Sequence, residues 1–119
     1  MPSRQITGQR GEAIAVELLV DCGYDILDRN WRCARGELDI VARDGDVLVF
    51  CEVKTRTSTA YGTPAEAVHP VKVHRLRSLG LYWLSQAPSS PWNTIRFDVV
   101  SVILRPDEAP DVRHLKGVF

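Results

Sequence analysis

The chain has 119 residues, with 15 Lys and Arg set against 15 Asp and Glu, so its formal net charge is zero. That length suits one domain over 1–119, with a core over about 7–104 and a C-terminal tail over 105–119. The composition is that of an ordinary globular protein, without an apolar run long enough to span a membrane or a hydrophobic stretch behind Met1-Pro2-Ser3 that would make a secretion signal; a cytoplasmic protein is expected, and zero net charge counts mildly against a general nucleic-acid binder.

From about Thr7 to Cys22 the spacing of Ala15, Leu18, Leu19 and Cys22 predicts a helix, and Gly23 ends it. Glu12 sits on the same inward stripe. Two readings stand beside each other: a carboxylate favoured near a helix N-terminus by the dipole, or an acid that reaches a site. Tyr24 to Asn30 reads as a strand towards an edge of a sheet, and Trp31-Arg32-Cys33-Ala34-Arg35-Gly36 as a loop. Aromatic and basic residues interleave there, which suits stacking and phosphate contacts at Arg32 and Arg35, although a loop tryptophan is more often a packing anchor.

Glu37 to Arg43 alternates, with Leu38, Ile40 and Ala42 on one face; Val47, Val49, Cys51 and Val53 make a second alternating face. Asp44-Gly45-Asp46 between them predicts an antiparallel hairpin. With Asp44-Gly45 as the turn, Asp39 lies opposite Phe50; with Gly45-Asp46 as the turn, it lies opposite Glu52. In both registers Asp39, Glu52 and Lys54 share a face, because strand side chains alternate with period two. On that face Leu48 and Phe50 are apolar while Glu52 and Lys54 are charged, so the strand is expected to start buried and end in a polar site. Two carboxylates can hold a hard divalent cation, and with a lysine beside them they supply parts for metal-assisted phosphodiester hydrolysis. An exposed cross-strand ion pair accounts for the same three residues equally well on geometry alone.

Thr55 to Thr63 reads as a polar connection beside these residues. A second helix is expected to begin near Pro70, with Val73, Leu76, Leu79 and Trp83 as its apolar stripe. Lys72, Arg75 and Arg77 on its flank fit a solvated face and a DNA contact alike. Ala87-Pro88-Ser89-Ser90-Pro91 reads as a loop, and Ile95, Phe97 and Val99 begin a last core strand that runs to about Leu104. His114 to Phe119 either adds a short strand or packs loosely. Cys22 and Cys51 fall on apolar faces and are expected as buried free thiols; no C-x-x-C pair supports zinc, and a reactive thiol at Cys33 is the lesser alternative. The order helix, three strands, helix, strand predicts an α/β fold: a mixed central sheet flanked by helices, the last strand parallel to a neighbour.

This order, with Asp39 and Glu52-Val53-Lys54 spaced as D-x12-E-x-K, resembles the PD-(D/E)xK, restriction-endonuclease-like nuclease superfamily. The whole chain resembles more closely the YraN-like uncharacterised bacterial family, described as predicted endonucleases similar to archaeal Holliday-junction resolvases. The matching strings are Gly8-Gln9-Arg10-Gly11-Glu12-Ala13, Gly23-Tyr24, Arg29-Asn30-Trp31-Arg32, Gly36-Glu37-Leu38-Asp39-Ile40, Val49 to Arg56, Tyr61-Gly62, Lys72 and Arg96 to Val100. No proline precedes Asp39; Gly36-Glu37-Leu38-Asp39 is what the family shows there.

The resemblance implies a metal-dependent endonuclease acting on DNA, branched DNA included, with Mg²⁺ or Mn²⁺ as cofactor. It implies Asp39 and Glu52 as metal ligands with the Val53 backbone carbonyl, Glu12 as a further acid, and Lys54 as the group that orients water or offsets charge. Arg56 then suits a phosphate clamp, and Arg32, Arg35, Lys72 and Arg75 further nucleic-acid contacts. Arg96 and Asp98 match the family without an implied role, and an internal ion pair explains them. A symmetric junction would favour a homodimer. Two alternatives remain: a nuclease-fold nucleic-acid-binding protein with little or no catalysis, and a structural or partner-binding protein.

Overall fold

A computed structural model describes residues 4–57, 70–87, 92 and 94–118. The expected connection after Arg56 falls mostly outside these residues, as does most of the loop at 87–91.

The helix α1 (Arg4–Asp21) is followed by three antiparallel strands, β1 (Asp25–Cys33), β2 (Gly36–Asp44) and β3 (Val47–Arg56). Then come α2 (Pro70–Gln86), β4 (Thr94–Ile103) and β5 (Asp111–Leu115). The five strands form one sheet in sequence order; β3 and β4 pair in parallel, and every other neighbouring pair is antiparallel. The parallel pair needs a crossover, which α2 provides. The mixed α/β sheet flanked by helices is therefore the architecture expected from the chain order, with the tail adding an edge strand.

Gly23 ends α1 at φ 92°. Its N–H reaches the Val20 carbonyl and the Tyr24 N–H reaches that of Leu19, the paired bonds of a Schellman cap. Tyr24 is thereby folded back onto Leu19, and both are buried with Ala15, Ile40, Ala42, Val49, Cys51, Val100 and Val102. The opposite face of the sheet buries Val41, Leu48 and Phe50 against Leu79 of α2, with Leu76, Trp83 and Phe97 around them. The two helices thus cover opposite faces. Each approaches closely at a glycine: a Cβ on Gly11 of α1 would lie 1.8 Å from Thr55 Oγ1, and one on Gly80 of α2 would lie 2.9 Å from the Phe50 ring.

Several local expectations are corrected. Trp31, Arg32 and Cys33 extend β1, leaving Ala34-Arg35 as the turn, because they pair with Leu38, Glu37 and Gly36. Thr55 and Arg56 likewise extend β3, held by pairing with Val102 and Ile103. Cys22 is exposed: the cap turns the chain away before the helical stripe can carry that position inward. Cys51 is buried as expected and Cys33 is partly buried.

Leu38 supplies the most consequential correction. It packs on the α2 side with Leu48 and Phe50, whereas Ile40 and Ala42 pack on the α1 side. Residues two apart share a face in a regular strand, so β2 changes face at Asp39. Its neighbour β1 is irregular at the same level: Arg29 pairs with Ile40 and Trp31 with Leu38, while Asn30 between them has φ 51°. A positive φ in a non-glycine residue is uncommon, and asparagine tolerates it better than most.

Candidate active site

The β2–β3 hairpin turns at Gly45-Asp46, with Asp44 paired to Val47 and Ile40 paired to Cys51. Of the two expected registers this is the one that sets Asp39 across from Glu52. The pairing stops at Ile40 and Cys51, and the Asp39 carboxylate accepts the Val53 N–H at 2.9 Å. A side chain has taken over a donor that the next rung of the ladder would have used. In an extended strand a residue's N–H and C=O point to the same side, so the Val53 carbonyl also looks towards this gap.

The gap opens to both faces of the sheet. On the α1 side a cleft of about 290 Å³ is lined by Gly8, Glu12, Glu37, Asp39, Val53, Lys54 and Thr55. On the α2 side a cleft of about 300 Å³ is lined by Gly36, Glu37, Asp39, Glu52, Lys72, Arg75, Leu76 and Leu79. Asp39 belongs to both. The expectation that Asp39, Glu52 and Lys54 all point to one face is thus refined. Glu52 lies on the face of Leu48 and Phe50, while Asp39 stands at the jog between the two sides.

Burial dominates the electrostatics. It raises the Asp39 carboxyl to about 6; the bond from Val53 works against that, and the charges of Glu12, Glu52 and Glu37 add to the rise. Glu12 is also raised by burial, offset in part by Arg29 and Arg32 and by a hydrogen bond from Asn30. Glu12 Oε1 and Glu52 Oε2 are buried without a hydrogen-bond partner. Buried carboxylate oxygens are costly to leave unpaired, so three acids with little solvation and few donors have been gathered from α1, β2 and β3.

Positive charge enters from the α2 side. Lys72 forms an ion pair with Glu52 Oε1. Lys54 is lowered from its ordinary value by a hydrogen bond with Lys72, by burial and by the like charge of Lys72, against the attraction of Glu52. Arg56 acts on Lys54 as a further like charge. Arg75 lines the same cleft as Lys72. Arg32 bonds Glu37 at 3.0 Å while remaining exposed, and the Arg35 guanidinium stands over the Tyr82 ring, 5.7 Å from its centroid. Trp31 packs against the same ring, with 5.8 Å between centroids. It is a packing anchor, the commoner of the two roles weighed for it.

Among the described residues no group of three His, Cys, Asp or Glu side chains stands ready to enclose a metal ion. The arrangement nevertheless fits a magnesium-like ion. Such ions keep several waters and take only one or two protein carboxylates, the rest of the shell coming from substrate phosphate. Asp39 with the unpartnered Glu52 Oε2 could supply two ligands, with the Val53 carbonyl beside them and the unpartnered Glu12 Oε1 opposite.

Two features were not singled out from sequence. Asn30, with its positive φ on β1, faces Glu12 and partly offsets the rise of its carboxyl, and Gly11 lets α1 sit directly on Thr55. Asn30 lies in an Arg-Asn-Trp-Arg string whose value was only its resemblance, and the need for Gly11 arises from a contact 44 positions away in sequence. Arg96 and Asp98 form the internal ion pair considered for them. Asp98 is fully buried and accepts from Arg96 at 2.9 and 3.0 Å and from the Gly117 N–H at 2.9 Å. It also bonds His114 Nε2 at 2.8 Å. This network anchors β5 and the tail rather than the site.

Residues 11–102 match the profile of an uncharacterised protein family, UPF0102. A UPF0102 protein of Nocardia farcinica is 50% identical over 116 residues, covering 98% of this chain and 91% of the relative. One of Streptomyces griseus is 48% identical over 118 residues and 99% of both chains. One of Kineococcus radiotolerans is 50% identical over 117 residues, 98% of this chain and 95% of the relative.

Proposed function

From its place in the uncharacterised family UPF0102, to which this chain belongs, we propose that the protein is a cytoplasmic, metal-dependent endonuclease that hydrolyses DNA phosphodiesters, branched DNA among them. The observation that carries this reading is the convergence of Glu12, Asp39 and Glu52 on one gap in the sheet. Two of their oxygens are buried without partners, and Asp39 is raised to about 6. Such a cost is expected where a cation completes the site. The likeness of the D-x12-E-x-K spacing to restriction-endonuclease-like nucleases supports the same reading. Among the described residues no helix is long and apolar enough to cross a membrane.

Asp39 and Glu52 would hold Mg²⁺ or Mn²⁺, with the Val53 carbonyl as a further ligand and Glu12 as an outer acid. When bound, the ion supplies Lewis acidity towards a phosphoryl oxygen and a more acidic water. The Val53 N–H keeps Asp39 in one orientation. Lys54 sits beside Glu52 and offsets negative charge growing on phosphorus. Arg56, Arg75, Arg32 and Arg35 bring positive charge to the backbone on either side of the scissile bond. A two-fold pair of chains would suit a symmetric junction.

A second reading, a nucleic-acid-binding protein without catalysis, is favoured by one observation: Glu52 is already paired with Lys72. Incubation with Mg²⁺ or Mn²⁺ and labelled four-way, single-stranded and duplex DNA separates the two. Cleavage that disappears in Asp39→Asn supports the nuclease. Salt-sensitive binding without any cleavage, unchanged in Asp39→Asn, supports the second reading and rejects the first.

A further inference from the structure

We propose that Lys72 is a displaceable counter-ion: it holds Glu52 in the free protein and passes to a phosphate of the nucleic acid when a divalent cation takes its place. This rests on the metal-dependent reading of the site.

Three observations lead there. First, Lys72 does not project into solvent from the flank of α2. Its ammonium crosses the cleft to Glu52, and the two side chains are 28% and 12% exposed. Second, Glu52 is only half used, since Oε1 takes Lys72 and Oε2 is buried without a partner. A divalent ion at Oε2 would lie within a few ångströms of the Lys72 ammonium. Their repulsion is substantial in a partly desolvated cleft. Third, Arg75 lines the same cleft as Glu52 and Lys72. With a divalent cation on Glu52, the released Lys72 ammonium joins Arg75 as excess positive charge on the cleft wall. An anion entering the cleft with Asp39, Arg75 and Leu76 on its walls would restore the balance, and a phosphodiester is the anion this site is read as handling.

Lysine suits the exchange. Its charge is compact, its stem is flexible, and it has none of the planar two-point grip that would lock an arginine onto Glu52. Cation binding then frees Lys72 for phosphate, and phosphate binding withdraws Lys72 from Glu52. The two ligands must favour each other to the same extent, because coupling between sites is reciprocal. The metal-free protein keeps Glu52 paired with Lys72, and a complete site forms only on substrate.

The test is Mn²⁺ calorimetry on the full chain, alone and with a phosphorothioate DNA hairpin that resists cleavage. Wild type is expected to bind Mn²⁺ about tenfold more tightly with the hairpin present, within the usual range of coupling. Lys72→Met is expected to bind Mn²⁺ about tenfold more tightly than wild type without DNA and to lose most of the hairpin's effect, while Lys72→Arg, gripping Glu52 at two points, is expected to bind Mn²⁺ more weakly than wild type. Acylation of Lys72 by an amine-reactive ester, read by mass spectrometry on wild type, needs no variant: labelling should rise with Mn²⁺ and fall again when the hairpin is added. Equal or weaker Mn²⁺ binding by a folded Lys72→Met, or Lys72 labelling indifferent to bound Mn²⁺, overturns the proposal alone. Absence of any Mn²⁺ binding that depends on Asp39 overturns the metal reading and this proposal with it.

Discussion

The Asp39 carboxylate accepts the backbone N–H of Val53 at 2.9 Å, where β2 and β3 cease to pair. That bond fixes the acid at the jog in β2, where it lines the clefts on both sides of the sheet. Its position lets an acid from α1 and one from β3 serve the same gap. It also holds Asp39 where its charge is poorly solvated, so the site is built at a cost to stability.

That cost is measurable. Asp39 is raised from 3.8 to about 6, so the folded chain binds its proton more tightly than the unfolded chain does. The sign follows: stability associated with protonated Asp39 is fully present below about pH 4 and is lost as pH rises through about 6. Asp39→Asn keeps an oxygen for the Val53 N–H and removes the buried charge. Denaturant melts should find the variant more stable by about 2–3 kcal/mol at pH 7.5, with the difference vanishing below pH 4. DNA cleavage should fall by more than about 100-fold, beyond what outer-shell changes cost. Equal stability at both pH values would contradict the assigned burial of Asp39.

Asn30 combines a backbone role with a side-chain role, and two substitutions separate them. Glycine tolerates φ 51°, so Asn30→Gly should change stability by less than about 1 kcal/mol. Its missing hydrogen bond to Glu12 should still weaken Mn²⁺ binding about tenfold. Asn30→Ala should lose the same affinity and about 1 kcal/mol of stability as well, because alanine lacks the short polar side chain that lets asparagine hydrogen-bond locally in the left-handed region. Calorimetry and thermal melts read the two effects independently.

Gly11 is required by contact rather than by backbone angle. A methyl group there would lie 1.8 Å from Thr55 Oγ1 and 2.7 Å from Thr55 Cβ. Gly11→Ala should therefore destabilise the fold by about 1–3 kcal/mol and lift Glu12 away from the gap. Adding Thr55→Ala removes the nearest atoms and should recover part of both losses. Full stability in Gly11→Ala would show that α1 does not sit on β3 at this depth.

Asp98 should behave in the opposite sense to Asp39. Burial pushes its carboxyl up, but bonds from His114, Arg96 and the Gly117 N–H outweigh that and hold it below the usual value. Its contribution is therefore present above about pH 4 and is lost as pH falls through the lowered value. Asp98→Ala leaves Arg96 without its main partner and releases the tail. A loss of about 3–5 kcal/mol is expected at pH 7, as for other broken buried pairs. Amide exchange should locate the change in β5 and around Gly117.

Much of the architecture is local in origin and could be read from the chain. The helical stripe of Ala15 and Leu19, the stop at Gly23, a hairpin turn within Asp44-Gly45-Asp46 and the helix beginning near Pro70 all rest on local signals, although those signals allow two registers of the hairpin. The strands that begin at Val47 and near Ile95 announce themselves by alternation, although the continuation of the first through Thr55 and Arg56 does not. The D-x12-E-x-K spacing named Asp39, Glu52 and Lys54, and resemblance added Glu12. Alternation failed at Leu38, because it assumes a regular strand and β2 is not regular at Asp39. Lys72 could be read only as a cation on a helix flank, since its partner lies 20 positions earlier on another element.

By itself, then, the sequence determined which residues could do chemistry and on which elements they ride, because periodicity and turn chemistry are short-range. Only the tertiary structure decided how their charges are shared. Asp39 sits between two clefts, Glu12 leans on Asn30, and Glu52 faces Lys72. Those relationships depend on where α1 and α2 press against a twisted sheet, and on how much water each contact leaves behind.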